Sequence, residues 1–486
     1  MFRRVARFVV LMVLAAGAAA ALLHRPKHDV RPAPGAVVVT YWEKWTGDEG
    51  AQMEQIVGEF NDTVGRHKGI FVQYLSVSNV NQKTLVATAA GVPPDVAGVW
   101  DGQIAQFAAM DALEPLDDLA AEHGITEALY KPVYWRACHY EGRLWGLIST
   151  PACVALHYNK RIFQECADAL RAAGLDPDRP PRTLEELDRY AAVLDRKRPG
   201  TDRWDRYGYL PMEPGWFLVH TAYWFGGSIY DEAAGRFTLT DEPVVRAYEW
   251  IRSYSLKLGR GSMMEFVDSR GAYASPQNAF LVGTVAMQQQ GPWMANTIES
   301  HRPAMNRWKF GAGLSRPEKL AEEVKLSSEE RRANYEWGAA PFPSVGGEIV
   351  TYAGFDVLVI PRGARHKREA FEFIAYINRA DVQEKLCSLH CKNTMLRSVS
   401  DEYIRNHPNP YIEVFETMAS SPAARGIPPI PIWPEVDAEM AQVAQKVYLL
   451  TQEPRAALEE AQLRLQAKLD QFNRRQQQRR TREASR

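Results

Sequence analysis

Long apolar runs are nearly absent from this sequence. Among its 486 residues one uncharged stretch stands out, the sixteen residues Phe8 to Leu23, against the roughly 20 that span a bilayer as a helix. No second run of that length follows, so the rest does not read as a multi-span membrane protein. An excess of charge of one sign is also missing. Lys and Arg (58) nearly balance Asp and Glu (59), giving a formal charge of -1, without the basic field that a nucleic-acid binder needs. Cysteine is scarce, five in all, which excludes a small disulfide scaffold. Catalytic signatures are lacking too: there is no G-x-S-x-G, P-loop, G-x-G-x-x-G after a strand or H-E-x-x-H, so the enzymes built on those motifs drop out. A glycosidase needs only two well-placed carboxylates, and the acids present leave that class open.

What is present begins with the N-terminus. Arg3, Arg4 and Arg7 precede the apolar run and small residues (Ala16-Gly17-Ala18 or Ala18-Ala19-Ala20) close it, the pattern of a secretory signal over residues 1–23. An uncleaved N-terminal anchor is the alternative. The first cysteine is Cys138, so no cysteine is placed to carry a lipid at a mature N-terminus. The expected location is therefore periplasmic, without lipoprotein attachment. In an exported chain Cys138, Cys153, Cys166, Cys387 and Cys391 predict one or two disulfides with one thiol left over. Cys138 and Cys153 flank the turn YEGRLWG and can pair if their strands are antiparallel. Cys387, His390 and Cys391 have the spacing of three metal ligands without a fourth; a local disulfide or buried thiols is the other reading. No metal or cofactor is expected. From Asn473 the chain carries six Arg and one Glu, and residues 471–486 read as a solvated or frayed basic tail, or as a contact for a membrane surface or partner.

Between these ends strand and helix patterns alternate. Val37 to Val39 form a β-branched run that ends in Thr40-Tyr41-Trp42, and Met53, Ile56, Val57 and Phe60 then recur on one helical face. Ile70 to Val77 is a second apolar run, Gln82 to Ala90 is rich in helix formers, and Asp95 to Trp100 is a third strand. Such a βαβαβ unit predicts a parallel, doubly wound sheet. In open α/β sheets ligands sit beyond the carboxyl ends of the strands. The segments leaving those ends are Trp42-Glu43-Lys44-Trp45, Ser76-Val77-Ser78-Asn79 and Trp100-Asp101, which should converge on one cleft. Tryptophan beside carboxylate, amine and amide suits a ligand that is both polar and ring-shaped; the competing reading makes these tryptophans caps of the sheet core.

Further along, Thr183 with Glu186 three residues later predicts a capping box before LEELDRYAAVL. Gly208 to Tyr230 is rich in aromatics and glycine, including Trp216, Tyr223 and Trp224. Residues Arg316 to Arg332 are dominated by charge and read as a surface helix or excursion with no chemistry. Ala370, Phe371, Ile374 and Ile377 mark another amphipathic helix.

Taken in order, the segments resemble a known family. VVVTYWEKWTGDEGAQMEQIVGEFN, PPDVAGVWDGQIAQFAAMDALEPLDDL, EGRLWGLISTPACVALHYNKRIF, FLVGTVAMQQQGPWMANTI, TYAGFDVLVIPRGARHKREAFEFIAYI and IPIWPEV followed by EPRAALEEAQLRLQAKL, spanning about Val37 to Leu469, look like the extracellular solute-binding proteins of bacterial ABC importers, in the carbohydrate-binding group that includes maltose-binding protein. The resemblance implies a two-lobed α/β fold of the type II periplasmic-binding-protein kind, each lobe a doubly wound mixed sheet. Lobe one would hold residues 36–153 and 355–410 and lobe two residues 154–354 and 411–470, with hinge crossings near Pro151 to Leu156, Tyr352 to Asp356 and Asn409 to Gly426. Trp293 in the GPW motif and Trp433 in W-x-E-V would act as sugar-stacking platforms, and Trp216 would belong to the family's aromatic loop. Trp42, Glu43, Lys44, Trp45, Trp100 and Asp101 would meet sugar hydroxyls. The implied partners are a carbohydrate and ABC permease subunits, the protein itself being a monomer that is not an enzyme and binds no nucleic acid. A sensory sugar-binding protein for a receptor kinase or chemoreceptor is the rival with the same binding chemistry, and a secreted glycoside-active enzyme is the rival from another class.

Overall fold

A computed structural model describes residues 32–269, 271–307 and 326–484. The apolar N-terminal run and most of the charged excursion, residues 316–325, lie outside the described residues.

The opening βαβαβ pattern forms as its periodicity predicts. Strands Val37–Glu43, Ile70–Ser76 and Val96–Trp100 are parallel, with Val37–Glu43 in the middle. The helix Gly47–Phe60 between the first two buries Met53, Ile56, Val57 and Phe60, which recur at the spacing of one helical face and so cover the sheet. Thr351–Val359 then pairs antiparallel with both Val96–Trp100 and Leu147–Cys153, and Ala424–Arg425 adds to its other end. The first sheet therefore gathers strands from both halves of the sequence.

A second sheet has the order Trp337–Ala340, Ala155–Asn159, Val285–Gln290, Trp204–Tyr209, Arg196–Lys197. It is mixed, because Val285–Gln290 runs parallel to Trp204–Tyr209 and antiparallel to Ala155–Asn159. The helix Leu184–Leu194 lies so close to it that a Cβ at Gly208 would meet the Ala191 carbonyl oxygen at 2.3 Å. Only glycine permits that approach. Thr183 caps this helix by accepting from Glu186 N at 3.1 Å. Glu186 does not complete the expected box: its carboxylate accepts from Arg182 N and from the Arg179 guanidinium, each at 2.8 Å.

The sheets meet where two chain crossings lie side by side. Val154 alone separates Leu147–Cys153 from Ala155–Asn159. Its N–H donates to Thr351 Oγ1 at 3.0 Å and its carbonyl accepts from the same hydroxyl at 2.9 Å. One side chain thus ties the two crossings together, and the two sheets with their helices make two lobes.

Two expectations are corrected here. All five cysteines are free thiols. The hairpin of Cys138 is closed by Trp145, whose N–H donates to the Cys138 carbonyl at 3.0 Å, while the strand Leu147–Cys153 carries Cys153 away to the crossing. Cys391 donates to Asn296 Oδ1 at 2.9 Å and Cys387 to Gln383 Oε1 at 3.6 Å, so neither needs the other. Among the described residues no group of three or more His, Cys, Asp or Glu is placed to hold a metal ion. The basic tail is not frayed either: Pro454–Ala484 is one helix. Leu458, Ala461, Leu465 and Leu469 anchor it in the core of the second lobe, and Gln and Arg, both good helix formers, propagate it. Its far end reaches the first lobe, where Gln476 donates to the Ala109 carbonyl at 2.8 Å and Arg480 pairs with Glu141 at 2.5 Å.

Candidate functional site

The parallel strands deliver Glu43, Ser76 and Trp100 to one edge of the first sheet, and the antiparallel strand Thr351–Val359 brings Asp356 opposite Trp100 and Thr150. An aspartate in an otherwise apolar strand is costly to bury unless it is paired. Here the Asp356 carboxylate accepts from Lys44 Nζ, from Thr150 Oγ1 at 2.7 Å and from Lys392 Nζ at 3.3 Å. Burial by itself would raise its pKa, but Lys44 and Lys392 outweigh that and hold the carboxyl below its ordinary value. The two ammonium groups also lie over the Trp45 ring, 4.0 and 4.2 Å from its centroid, within cation–π range.

Two further indoles face this centre. Lys44 Nζ is 5.8 Å from the Trp100 ring, and Lys392 Nζ is 6.0 Å from the Trp293 ring. Trp100 belongs to the first lobe and is 53% exposed. Trp293 follows the second-lobe strand Val285–Gln290 and folds back over Gly291, where a Cβ would lie 2.3 Å from its ring. Tyr273, whose pKa burial raises while Thr297 and the Trp293 side chain pull it back, meets Trp216 edge-on at 4.9 Å. Trp216 is 50% exposed and lines a cavity of about 290 Å³ together with Pro214, Leu218, Val267, Asp437 and Tyr448.

Glu43 sits beneath this floor, fully buried. It accepts from the Tyr41 hydroxyl at 3.1 Å and from Lys44 N at 2.8 Å, and its carboxylate occupies the space that a Cβ on Gly98 would take, 1.7 Å away. Its pKa is raised, first by burial and then by Asp356, against the pull of Lys44. Asp101 is buried with its carboxylate against Gly354, and Trp433 covers Gly102, 2.5 Å from where a Cβ would be. His220 stacks on Tyr352 at 3.9 Å and lies parallel to Trp433 at 5.8 Å. Trp433 thus touches both lobes while only 5% exposed.

The structure therefore brings Glu43, Lys44, Trp45, Trp100 and Trp293 around one centre and sets Asp101 and Trp433 beside it, while Trp216 lies against Tyr273 on a separate cavity. Trp42, on the opposite face of its strand from Glu43, is half-buried. Asn79 is an exposed residue with left-handed backbone (φ 54°) before the helix Val80–Ala89. Neither joins the cluster. Asp356, Lys392, Thr150, Tyr273, His220 and Tyr352 were not anticipated from sequence. The one available signal was Asp356, a lone charge inside TYAGFDVLV.

A model of the bacterial extracellular solute-binding proteins matches residues 55–399. The chain belongs to that family. It is 21% identical over 382 residues to the maltotriose-binding protein of Pyrococcus abyssi, covering 77% of this chain and 70% of that one. Its fold is that of CpMnBP1 with mannobiose bound (TM-score 0.69, 22% identity, 88% of this chain and 98% of that chain). It is also that of UgpB from Mycobacterium tuberculosis in complex with glycerophosphocholine (TM-score 0.64, 20% identity, 90% and 99%). These solute-binding proteins share the two-lobed fold, and the centre at Asp356 lies where the lobes meet.

Proposed function

We propose that this protein captures a carbohydrate, mono- or oligosaccharide, in the cleft between its lobes and presents the closed form to the permease of an ABC importer, as a monomer and without turning the sugar over. The lobes are taken as the sequence suggests, with residues 351–354 and 411–425 moved to the first lobe, because the strand Thr351–Val359 belongs to the first sheet and Ala424–Arg425 pairs with its Thr351 and Tyr352. Residues 1–23 serve as the export signal.

The observation that carries this reading is the placement of the Lys44–Asp356–Lys392 centre between indoles from opposite lobes. A pyranose has apolar C–H faces and a girdle of hydroxyls; Trp100, Trp293 and Trp216 can bury the faces while the polar floor satisfies the girdle. If two indoles remove roughly 200 Å² of apolar surface at about 25 cal/mol/Å², they supply about 5 kcal/mol of the roughly 8 in a micromolar complex. Hydrogen bonds to the floor must supply the remainder. Because each lobe carries part of the site, the ligand stabilises the closed arrangement selectively.

Two ammonium groups in the site favour a second reading, a glycerol phosphate ester, the class of the glycerophosphocholine named for the UgpB structure. A thermal-shift panel of mannobiose, maltotriose and glycerol 3-phosphate separates the readings. A ligand at about 100 times its Kd adds about 2.7 kcal/mol of stability. The expected result is a shift with a saccharide and recovery of that saccharide intact by chromatography; a shift with glycerol 3-phosphate alone, or cleavage of the saccharide, would overturn it.

The C-terminal helix adds to closure, since it is rooted on one lobe and touches the other. Exposed ion pairs contribute about 0–1 kcal/mol each, so truncation after Phe472, which keeps that ring on the second-lobe core, should leave the melting temperature nearly unchanged and weaken solute binding severalfold. The loss should shrink in high salt, which screens the Arg480–Glu141 pair. Titration of the truncated and full-length proteins at two salt concentrations measures this.

A further inference from the structure

A lysine pair in a cleft is ordinarily an anion site, because two ammonium donors match a phosphate or carboxylate. This pair is already matched. Both Nζ atoms end on the Asp356 carboxylate, and Thr150 holds its Oδ2. Lys44 also lies 4.0 Å from Glu43, and the Glu49 carboxyl feels both lysines and Asp356. His390, whose ring meets Trp45 edge-on, is buried and uncharged near neutral pH. Of the four groups Lys44, Lys392, Asp356 and Glu43, only the Lys44 side chain is appreciably open to solvent, at 25%. What the cleft offers a ligand is a polarised floor with its charge balanced from beneath.

We infer that Asp356 is the residue that sets ligand charge: by holding both ammonium groups it makes the floor select uncharged, hydroxyl-rich solutes and refuse phosphorylated ones. This rests on the cleft being the solute site. A phosphate group entering here would have to displace Asp356 from its lysines and leave a buried carboxylate unpaired, which is costly. A sugar hydroxyl asks for less: it can accept from Lys44, or donate to a carboxylate, while the pairs stay intact. Asp356 thus acts through the lysines as a positioning residue.

The test uses the full chain, with glycerol 3-phosphate, mannobiose and maltotriose as probes, in the wild type, Asp356→Asn and Asp356→Asn/Lys392→Met. Asp356→Asn removes the carboxylate charge at nearly constant shape, so its affinity for glycerol 3-phosphate should rise at least about tenfold while saccharide affinity falls. The double variant also loses one ammonium and should lose that gain, which a merely structural role for Asp356 would not produce. Melting curves establish that each variant is folded. A folded Asp356→Asn protein with no gain overturns the inference while leaving the sugar reading intact. Wild-type protein that binds glycerol 3-phosphate more tightly than any saccharide overturns it whatever the variants do. If no probe shifts the wild type and Asp356→Asn gains nothing, the cleft reading itself has failed.

Discussion

Lowering the pH from about 7.5 to about 5.5 is expected to remove about 5 kcal/mol of folding stability, a third or more of the roughly 5–15 kcal/mol that a protein ordinarily possesses. Four histidines cause this. Burial drives the pKa of His157, His220 and His390 down to about 3 and that of His407 to about 4, so the folded chain keeps them neutral. Unfolded, each takes up a proton near its ordinary value of about 6.5. Between those limits the unfolded state binds more protons, and stability falls as pH falls, by about 1.4 kcal/mol per histidine over this interval. Glu43 and Glu49 have the opposite sign. Their raised pKa values add stability that is complete below the ordinary carboxyl value and is lost as pH rises through the folded one, so they offset part of the loss at its acid end. Urea unfolding at stepped pH measures the slope; a flat profile from pH 7.5 to 5.5 would contradict it.

Trp433→Ala is expected to cost about 3–5 kcal/mol of stability, the range for truncating a buried tryptophan. Its indole packs with Val436, Met440 and Ile432 in the core of the second lobe, faces His220 and closes over Gly102 of the first. Melting of the free protein should therefore fall by several degrees before any ligand is added. Trp293→Ala should behave differently, because Trp293 is only half-buried, lies back on its own Gly291 and faces Lys392 across the cleft. An unchanged melting temperature for Trp433→Ala would place that residue with the ligand instead of the core.

The contrast between these two tryptophans shows how far the sequence could be read. Both stand in short motifs with Pro that restrict the backbone, and motif resemblance treats them alike. Only the folded chain distinguishes them, since His220 and Gly102 come from segments more than 200 residues away from Trp433. The helix of Met53 to Phe60 and the parallel strands were legible because their apolar spacing is local. The convergence of Glu43, Lys44, Trp45 and Trp100 followed from strand direction alone. Lys392 stands beside Cys391, whose neighbours suggest a disulfide or a metal, and its role depends on a pairing with Asp356 36 residues earlier. The Arg-rich end of the C-terminal helix shows locally only its charge, because its register is set upstream by Leu458, Leu465 and Leu469.

The central claim is that solute is held where the Lys44–Asp356–Lys392 floor meets Trp293. Titration of Trp293→Ala with whichever saccharide shifts the wild type, together with melting of the free variant, tests it most directly. The account predicts an unchanged melting temperature and binding weakened at least about tenfold, or about 1.4 kcal/mol. Wild-type affinity in a folded Trp293→Ala protein would contradict it.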